Sequence, residues 1–131
     1  STREGRFMAR IGALRSLFHS AAGKMLLTTL TQREIALLLR RANATAGSTQ
    51  AALELPAVLH EIELVRQQGY ALSQGTSMPG AAALAILLPA GRDHPPLTLS
   101  VGGPLNEITA THQDLLKVLT EAAEPFQRSW R

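Results

Sequence analysis

The chain has 131 residues, 13 basic and 10 acidic side chains, a formal net charge of +3 and no cysteine. That length is typical of one globular domain, which buries roughly two-thirds of its unfolded surface without needing disulfides or a structural metal. The absence of cysteine excludes zinc-ribbon, iron–sulfur and cysteine-nucleophile sites and is typical of a reducing compartment, so we expect a cytoplasmic protein. The longest apolar run, Ala81 to Leu88, is far shorter than the roughly 20 residues that cross a bilayer, so we expect no membrane-spanning segment.

The charge pattern does not favour direct nucleic-acid binding by these residues. The basic side chains are spread along the chain, and only Arg40 and Arg41 are adjacent. One Trp, one Tyr and three Phe are available to stack on bases. Nucleic-acid contact usually requires a clustered basic stripe, often with aromatic side chains beside it.

The first half of the chain contains one predicted strand and two predicted helices. Gly5 to Phe18 mixes apolar residues with arginines, which favours a strand with one solvated face. Ser20 can cap a first helix, and the spacing of the apolar residues predicts that this helix continues to Leu30. Thr31 and Glu34 form a capping box at the start of a second helix. Residues 43–50 are small and polar, which predicts a loop.

A third helix and the beginning of a sheet are predicted next. The apolar residues after Glu54 share one helical face, and Gly69 stands where a left-handed residue ends the helix. Tyr70 to Leu72 starts a strand, and Ser73 to Gly80 is a polar, glycine-rich loop. Ala81 to Leu88 is continuously apolar, which is typical of a strand buried on both faces.

A hairpin and a last helix complete the predicted order. Residues 89–96 form a turn region, and apolar residues alternate with hydroxyl residues from Leu97 to Val101, which predicts a strand antiparallel to the one before it. Gly102 to Pro104 ends that strand. Thr111 opens the last helix, and Pro125 kinks or ends it.

Residues 21–24, Ala-Ala-Gly-Lys, resemble the end of a phosphate-binding loop. Such a loop begins with Gly and follows its Lys with Ser or Thr, whereas here Phe18 and Met25 hold those positions, so nucleotide binding is not expected. Small residues at a helix start can bind an anion through free N–H groups, or they can let the helix pack closely. Both interpretations stay open.

Ser77 is the candidate nucleophile of an enzymatic alternative. Gly75 to Gly80 resembles a nucleophile elbow, but Pro79 stands where the second glycine belongs, and a strand follows instead of a helix. The sequence places no histidine against Ser77. A solvated loop is the favoured interpretation, and we expect no enzymatic activity.

No metal or cofactor site is predicted. The four histidines are isolated, and none lies three or four residues from another, so a local pair of metal ligands is missing. The acidic residues of the predicted helices have the spacing of solvent faces, and no two of them stand out as a general acid and base.

Three short motifs occur in one order along the chain. They are residues 18–27 (FHSAAGKMLL), 65–71 (VRQQGYA) and 97–104 (LTLSVGGP). In sequence, order and spacing they resemble the effector-binding domain of the IclR family of bacterial transcriptional regulators. The similarity runs from about Leu14 to the C-terminus.

The resemblance implies an α+β fold of the GAF-like or profilin-like kind, an antiparallel sheet flanked by helices. Residues 1–131 would form a single effector-binding domain that is N-terminally incomplete, without part of its first strands. The family's DNA-binding winged helix-turn-helix would precede this domain and is absent from the chain.

The resemblance also implies a ligand pocket between the start of the Gly-Lys helix, the loop after Gly-Tyr and two strands. Carried over position by position, the residues that line it are Ser20, Ala21, Ala22, Ser73, Ala81, Ala83, Ser100 and Gly102. The family often has an acid at the position of Ser73, Cys or Ser at Ala83, and Ser at Gly102. We therefore expect a roomier, less polar pocket, which takes a small organic acid or an aromatic metabolite.

Implied partners are that effector and further copies of the chain, in a homodimer or homotetramer. DNA would be contacted only through the absent N-terminal domain. A small serine hydrolase that uses Ser77 and a purely structural oligomerisation domain are the alternative functions.

Overall fold

The computed structural model describes residues 16–44, 52–75 and 79–129. In this part of the chain four helices and three strands follow one another. They are α1 (Ala21–Leu27), α2 (Gln32–Ala44), α3 (Leu55–Gln68), β1 (Ala71–Gln74), β2 (Ala81–Leu88), β3 (Leu97–Pro104) and α4 (Leu105–Ser129). The predicted class, an α+β fold with an antiparallel sheet flanked by helices, is confirmed.

The three strands form an antiparallel sheet in the order β1-β2-β3. β2 and β3 pair along their whole length, from Ala81 opposite Pro104 to Leu88 opposite Leu97, so the predicted hairpin is confirmed. β2 is the central strand, and helices lie against both of its faces. Its uninterrupted run of apolar residues follows from that position, since both faces are buried over most of the strand.

The two faces of the sheet carry side chains of different size. Alternate residues of a strand point to opposite sides, so one face of β2 presents leucine and isoleucine and the other presents mainly alanine. The large-residue face packs against α4 in a cluster of Leu84, Ile86, Leu88, Leu119 and Ala123. The alanine face packs against α1 and α3 in a cluster of Ala21, Met25, Val65, Ala71 and Ala85.

A further cluster joins the three helices on the alanine side. It consists of Phe18, Leu27, Ile35, Leu39, Ala42 and Ile62, all buried. α2 packs on α3, and α1 lies between α3 and the sheet. Contacts with the sheet on one side and with α3 on the other therefore fix the position of α1.

Local signals fix the start of α2 and the end of α3 as predicted, whereas α2 continues to Ala44, into the loop predicted from Asn43. The Thr31 N–H donates to Glu34 Oε1 at 3.0 Å, and the Glu34 N–H donates to Thr31 Oγ1 at 3.1 Å, which is the reciprocal capping box. The bond from the Thr31 backbone, helped by the Thr31 side chain, holds the pKa of Glu34 below its usual value. Gly69 ends α3 with φ 86°, and its N–H donates to the Val65 carbonyl at 2.9 Å.

Two predictions near the first strand and in the loop after β1 are wrong. Residues 16–19 are helical, whereas a strand was predicted to continue to Phe18. The Ser20 N–H donates to the Ser16 carbonyl at 2.8 Å, which closes a helical turn directly before α1. The rest of that predicted strand, residues 5–15, lies outside the described residues. Ser73 belongs to β1 and not to the following loop, because it pairs with Ala83 on the central strand.

The last helix differs from the prediction at both ends. α4 begins at Leu105 and not at Thr111, since Ile108 packs under the sheet beside Gly103 and holds the first turn in place. Pro125 lies inside the helix without ending it. Its ring faces solvent, where water can satisfy the carbonyl that lacks an intrahelical partner. α4 has 25 residues, yet among the described residues no helix is both long and apolar enough to cross a membrane.

Candidate functional site

Strand register brings five of the eight predicted site residues onto one face of the sheet. Ser73 lies opposite Ala83, and Ala83 lies opposite Gly102, so these three form one row across the strands. Directly opposite residues of antiparallel strands point to the same side. The neighbouring rows add Ala81 and Ser100. We call the surface made of Ala71, Ser73, Ala81, Ala83, Ala85, Ser100 and Gly102 the small-residue face.

Helix α1 covers one part of the small-residue face and leaves another part open. Ala21 and Met25 are buried against Ala71 and Ala85. Burial decreases towards β3, where Ser100 and Gly102 are exposed. The face is therefore covered by α1 around Ala71 and Ala85 and exposed to solvent at Ser100 and Gly102.

Ser73 is the polar group of this face that is most removed from water. Its exposed fraction is 6%. Within the described part of the chain no group hydrogen-bonds its hydroxyl, and the oxygen is not completely cut off from solvent. A ligand on the small-residue face can therefore form a hydrogen bond with it.

The remaining three predicted residues lie at the start of α1, and of these Ala21 packs against the small-residue face. Ser20 is the N-cap, and its Oγ accepts a hydrogen bond from the Gly23 N–H at 3.0 Å. Ala21 is buried against the sheet, whereas Ala22 is half-buried. The Ser20 hydroxyl and the Gly23 N–H are thus engaged with each other, which reduces what this helix start offers to an anion.

The structure supports the second interpretation of the small residues in α1: they let the helix pack closely. A Cβ at Gly23 would lie 2.6 Å from Leu17 Cα and 2.7 Å from the Leu17 carbonyl carbon. Only glycine allows this approach. Lys24 points away from the helix start and pairs with Glu61 at 2.8 Å, so it is not the phosphate-binding lysine of a nucleotide loop.

Two contacts that the sequence alone did not reveal fix α1 against α3. The first is the Lys24–Glu61 ion pair. In the second, the Arg66 guanidinium donates from Nε at 3.3 Å and from Nη2 at 3.2 Å to the Thr28 carbonyl, just past the end of α1. In the sequence, the one sign of these two contacts was that Glu61 and Arg66 lie outside the apolar face of their predicted helix.

The catalytic alternative gains no support from the described residues. Ser77, its nucleophile, lies outside them. In the described part of the chain, no three His, Cys, Asp or Glu residues are grouped so that they could hold a metal ion.

Comparison with known proteins identifies the class of protein to which this fold belongs. The model of the family described as "Bacterial transcriptional regulator IclR C-terminal" matches residues 1–128. The chain belongs to this family and is the C-terminal domain of a transcriptional regulator.

The curated relatives include the HTH-type transcriptional repressor AllR of Salmonella typhimurium. It is 27% identical over 104 residues, which are 79% of this chain and 38% of the repressor. The chain thus spans about two-fifths of the length of the curated relatives it matches.

Solved structures share the fold. The effector domain of the regulator IclR from Acinetobacter sp. ADP1 is 28% identical with a TM-score of 0.75, over 83% of this chain and 63% of that one. The inducer-binding domain of PobR from Acinetobacter, a double mutant in complex with 3-hydroxybenzoic acid, is 18% identical with a TM-score of 0.70 over 85% of this chain and 65% of that one. The C-terminal domain of E. coli KdgR is 23% identical with a TM-score of 0.67, covering 82% and 66%. These last two likenesses concern the fold alone.

Proposed function

We propose that this chain is the effector-binding domain of a cytoplasmic IclR-type regulator. A small molecule bound on the small-residue face would control DNA binding by a winged-helix domain outside these 131 residues. The observation that carries the proposal is that Ser73, buried, shares one row with Ala83 and Gly102 on a face of small side chains that is exposed to solvent at Ser100 and Gly102. Ser20, Ala21, Ala22, Ser73, Ala81, Ala83, Ser100 and Gly102 are its ligand-binding residues.

The chemistry of this face favours a small organic acid or an aromatic metabolite. Ser73 and Ser100 can donate hydrogen bonds to a carboxylate or another acceptor-rich group. Ala81 and Ala83 leave room for an apolar body beside them. That the PobR domain of the same fold was solved with 3-hydroxybenzoic acid agrees with this ligand class.

A thermal-shift screen of small aliphatic and aromatic acids would identify the effector. A ligand at 100 times its Kd stabilises the folded domain by about 2.7 kcal/mol, which raises the unfolding temperature measurably.

With that effector, Ser100→Ala should weaken binding about tenfold to a hundredfold, since a hydrogen bond to a charged group contributes about 1.5–3 kcal/mol. Ala83→Leu should exclude ligands with a bulky apolar part and spare the smallest acids. Isothermal titration calorimetry measures both. The control is Thr111→Ala, which removes an exposed hydroxyl on α4, across the sheet from this face. If both site variants fold and bind like the wild type, the effector does not bind on the small-residue face.

We further propose that the domain self-associates as a homodimer or homotetramer. Five large apolar side chains are between 43% and 59% exposed: Leu37, Leu64, Leu97, Val118 and Phe126. Contact between copies would remove such surface from water. Light scattering at micromolar concentration should give the mass of a dimer or larger. A strictly monomeric mass would contradict the proposal.

A further inference from the structure

A cavity of about 180 Å³ lies between α1 and α3, on the side of α1 that faces away from the small-residue face. Its walls include the apolar side chains of Phe18, Leu27, Leu53, Val58 and Ile62. None of the proposed effector-binding residues lines it. It is therefore a second concave site, separated from the first by the thickness of one helix.

The charged groups of this cavity carry an excess of negative charge. Lys24, Glu54 and Glu61 all line it, and so does His19, which is counted here as neutral. The Lys24 side chain is 13% exposed, and its ammonium lies 2.8 Å from Glu61 Oε1, so these two charges offset each other. Glu54 precedes α3 as its N-cap residue but makes no capping hydrogen bond through its side chain. Among the described residues no cation pairs with it, which leaves one uncompensated carboxylate.

The spacing along α3 separates that carboxylate from the ion pair. Glu54 and Glu61 are seven positions apart, which corresponds to about 10 Å along a helix. The exposed Ala57 and the half-buried Val58 lie between the two glutamates. A cation beside Glu54 would thus stay clear of the Lys24 ammonium, while an apolar group attached to it could extend over the cavity floor.

We propose that this cavity binds a small organic ammonium ion, with the ammonium at Glu54 and a short apolar body on the floor formed by Leu27, Leu53 and Val58. A volume of 180 Å³ corresponds to about six water-sized groups, so the ligand has about six non-hydrogen atoms. This site is independent of the effector function proposed above, because it has different lining residues and the opposite charge preference.

Three probes with the same carbon skeleton test the charge preference: 3-methylbutan-1-amine, 3-methylbutan-1-ol and 3-methylbutanoate. An exposed ion pair contributes at most about 1 kcal/mol, so the amine should bind about fivefold more tightly than the alcohol, and the carboxylate more weakly than either. Titration of the isotope-labelled full chain, followed by NMR, should show amine-dependent shifts at Val58 and Ile62. Equal affinities for amine and carboxylate would overturn the proposal.

Two variants and one matched control locate the amine. Glu54→Gln should reduce amine affinity to that of the alcohol. Glu63→Gln removes the same charge from the same helix, but Glu63 pairs with Arg66 and does not line the cavity, so amine affinity should not change. Ala57→Leu places a larger side chain at the exposed wall and should abolish the shifts. Shifts that survive Ala57→Leu, or an equal loss in both glutamate variants, would show that the amine does not occupy this cavity.

Discussion

Replacing Gly23 by alanine should destabilise the domain by about 3 kcal/mol, although alanine is the better helix former by about 1 kcal/mol. The added Cβ would lie 2.6 Å from Leu17 Cα and 2.7 Å from its carbonyl carbon, and closer still to the carbonyl oxygen. These are backbone atoms of the helical turn that precedes α1, and they cannot rotate away as a side chain can. Relief would require α1 and the preceding turn to move apart.

Urea unfolding measures this effect, and Gly102→Ala is the matched control. At Gly102 the nearest atom to an added Cβ is the Ala82 carbonyl oxygen at 3.6 Å, which is ordinary contact. We therefore expect a change within about 0.5 kcal/mol there. A Gly23→Ala variant as stable as the wild type would show that α1 does not pack closely against the preceding turn.

Leu84→Ala should destabilise the domain by about 3 kcal/mol or more while leaving effector affinity unchanged in the folded protein. Leu84 is completely buried on the large-residue face, in the cluster with Leu119 of α4. Truncating such a side chain removes its transfer free energy and leaves a cavity, a combination that typically lowers stability by 2–5 kcal/mol. Its neighbour Ala83 points to the opposite side of the same strand.

The control for Leu84→Ala is Leu37→Ala, the same truncation at a side chain that is 50% exposed on α2. It should lower the free energy of unfolding by less than about 1 kcal/mol, because little apolar surface leaves contact. Calorimetry with the identified effector would complete the comparison. Unfolded Leu84→Ala protein lowers the apparent affinity in proportion to its fraction. A larger loss than this would mean that the two faces of the sheet are not independent.

Much of the local structure was predictable, because its causes are local. The capping box at Thr31 and Glu34 and the left-handed Gly69 act within one turn of their own helices. The alternation in β3 and the continuous apolar run of β2 gave the hairpin. The three family motifs predicted the family itself, which the match over residues 1–128 confirms.

The errors arose where distant residues decide the conformation. Thr111 looked like a helix start, but α4 begins six residues earlier, because Ile108 packs beside Gly103. Ser73 looked like a loop residue, since a polar serine before a glycine-rich stretch gives no sign of the strand opposite it. Residues 16–19 form a helical turn that places Leu17 against Gly23, a contact that no apolar periodicity encodes.

The sequence by itself determined the class of fold, the start of α2, the end of α3, and the identity of the residues proposed for the ligand site. Only the tertiary structure decided which of those residues share a face, because strand register places Ser73, Ala83 and Gly102 in one row although they are far apart in the chain. It also decided that Lys24 points to Glu61 and that the Ser20 hydroxyl caps Gly23. Helix capping and side-chain period act over a few residues, whereas register and helix docking depend on how the whole core packs.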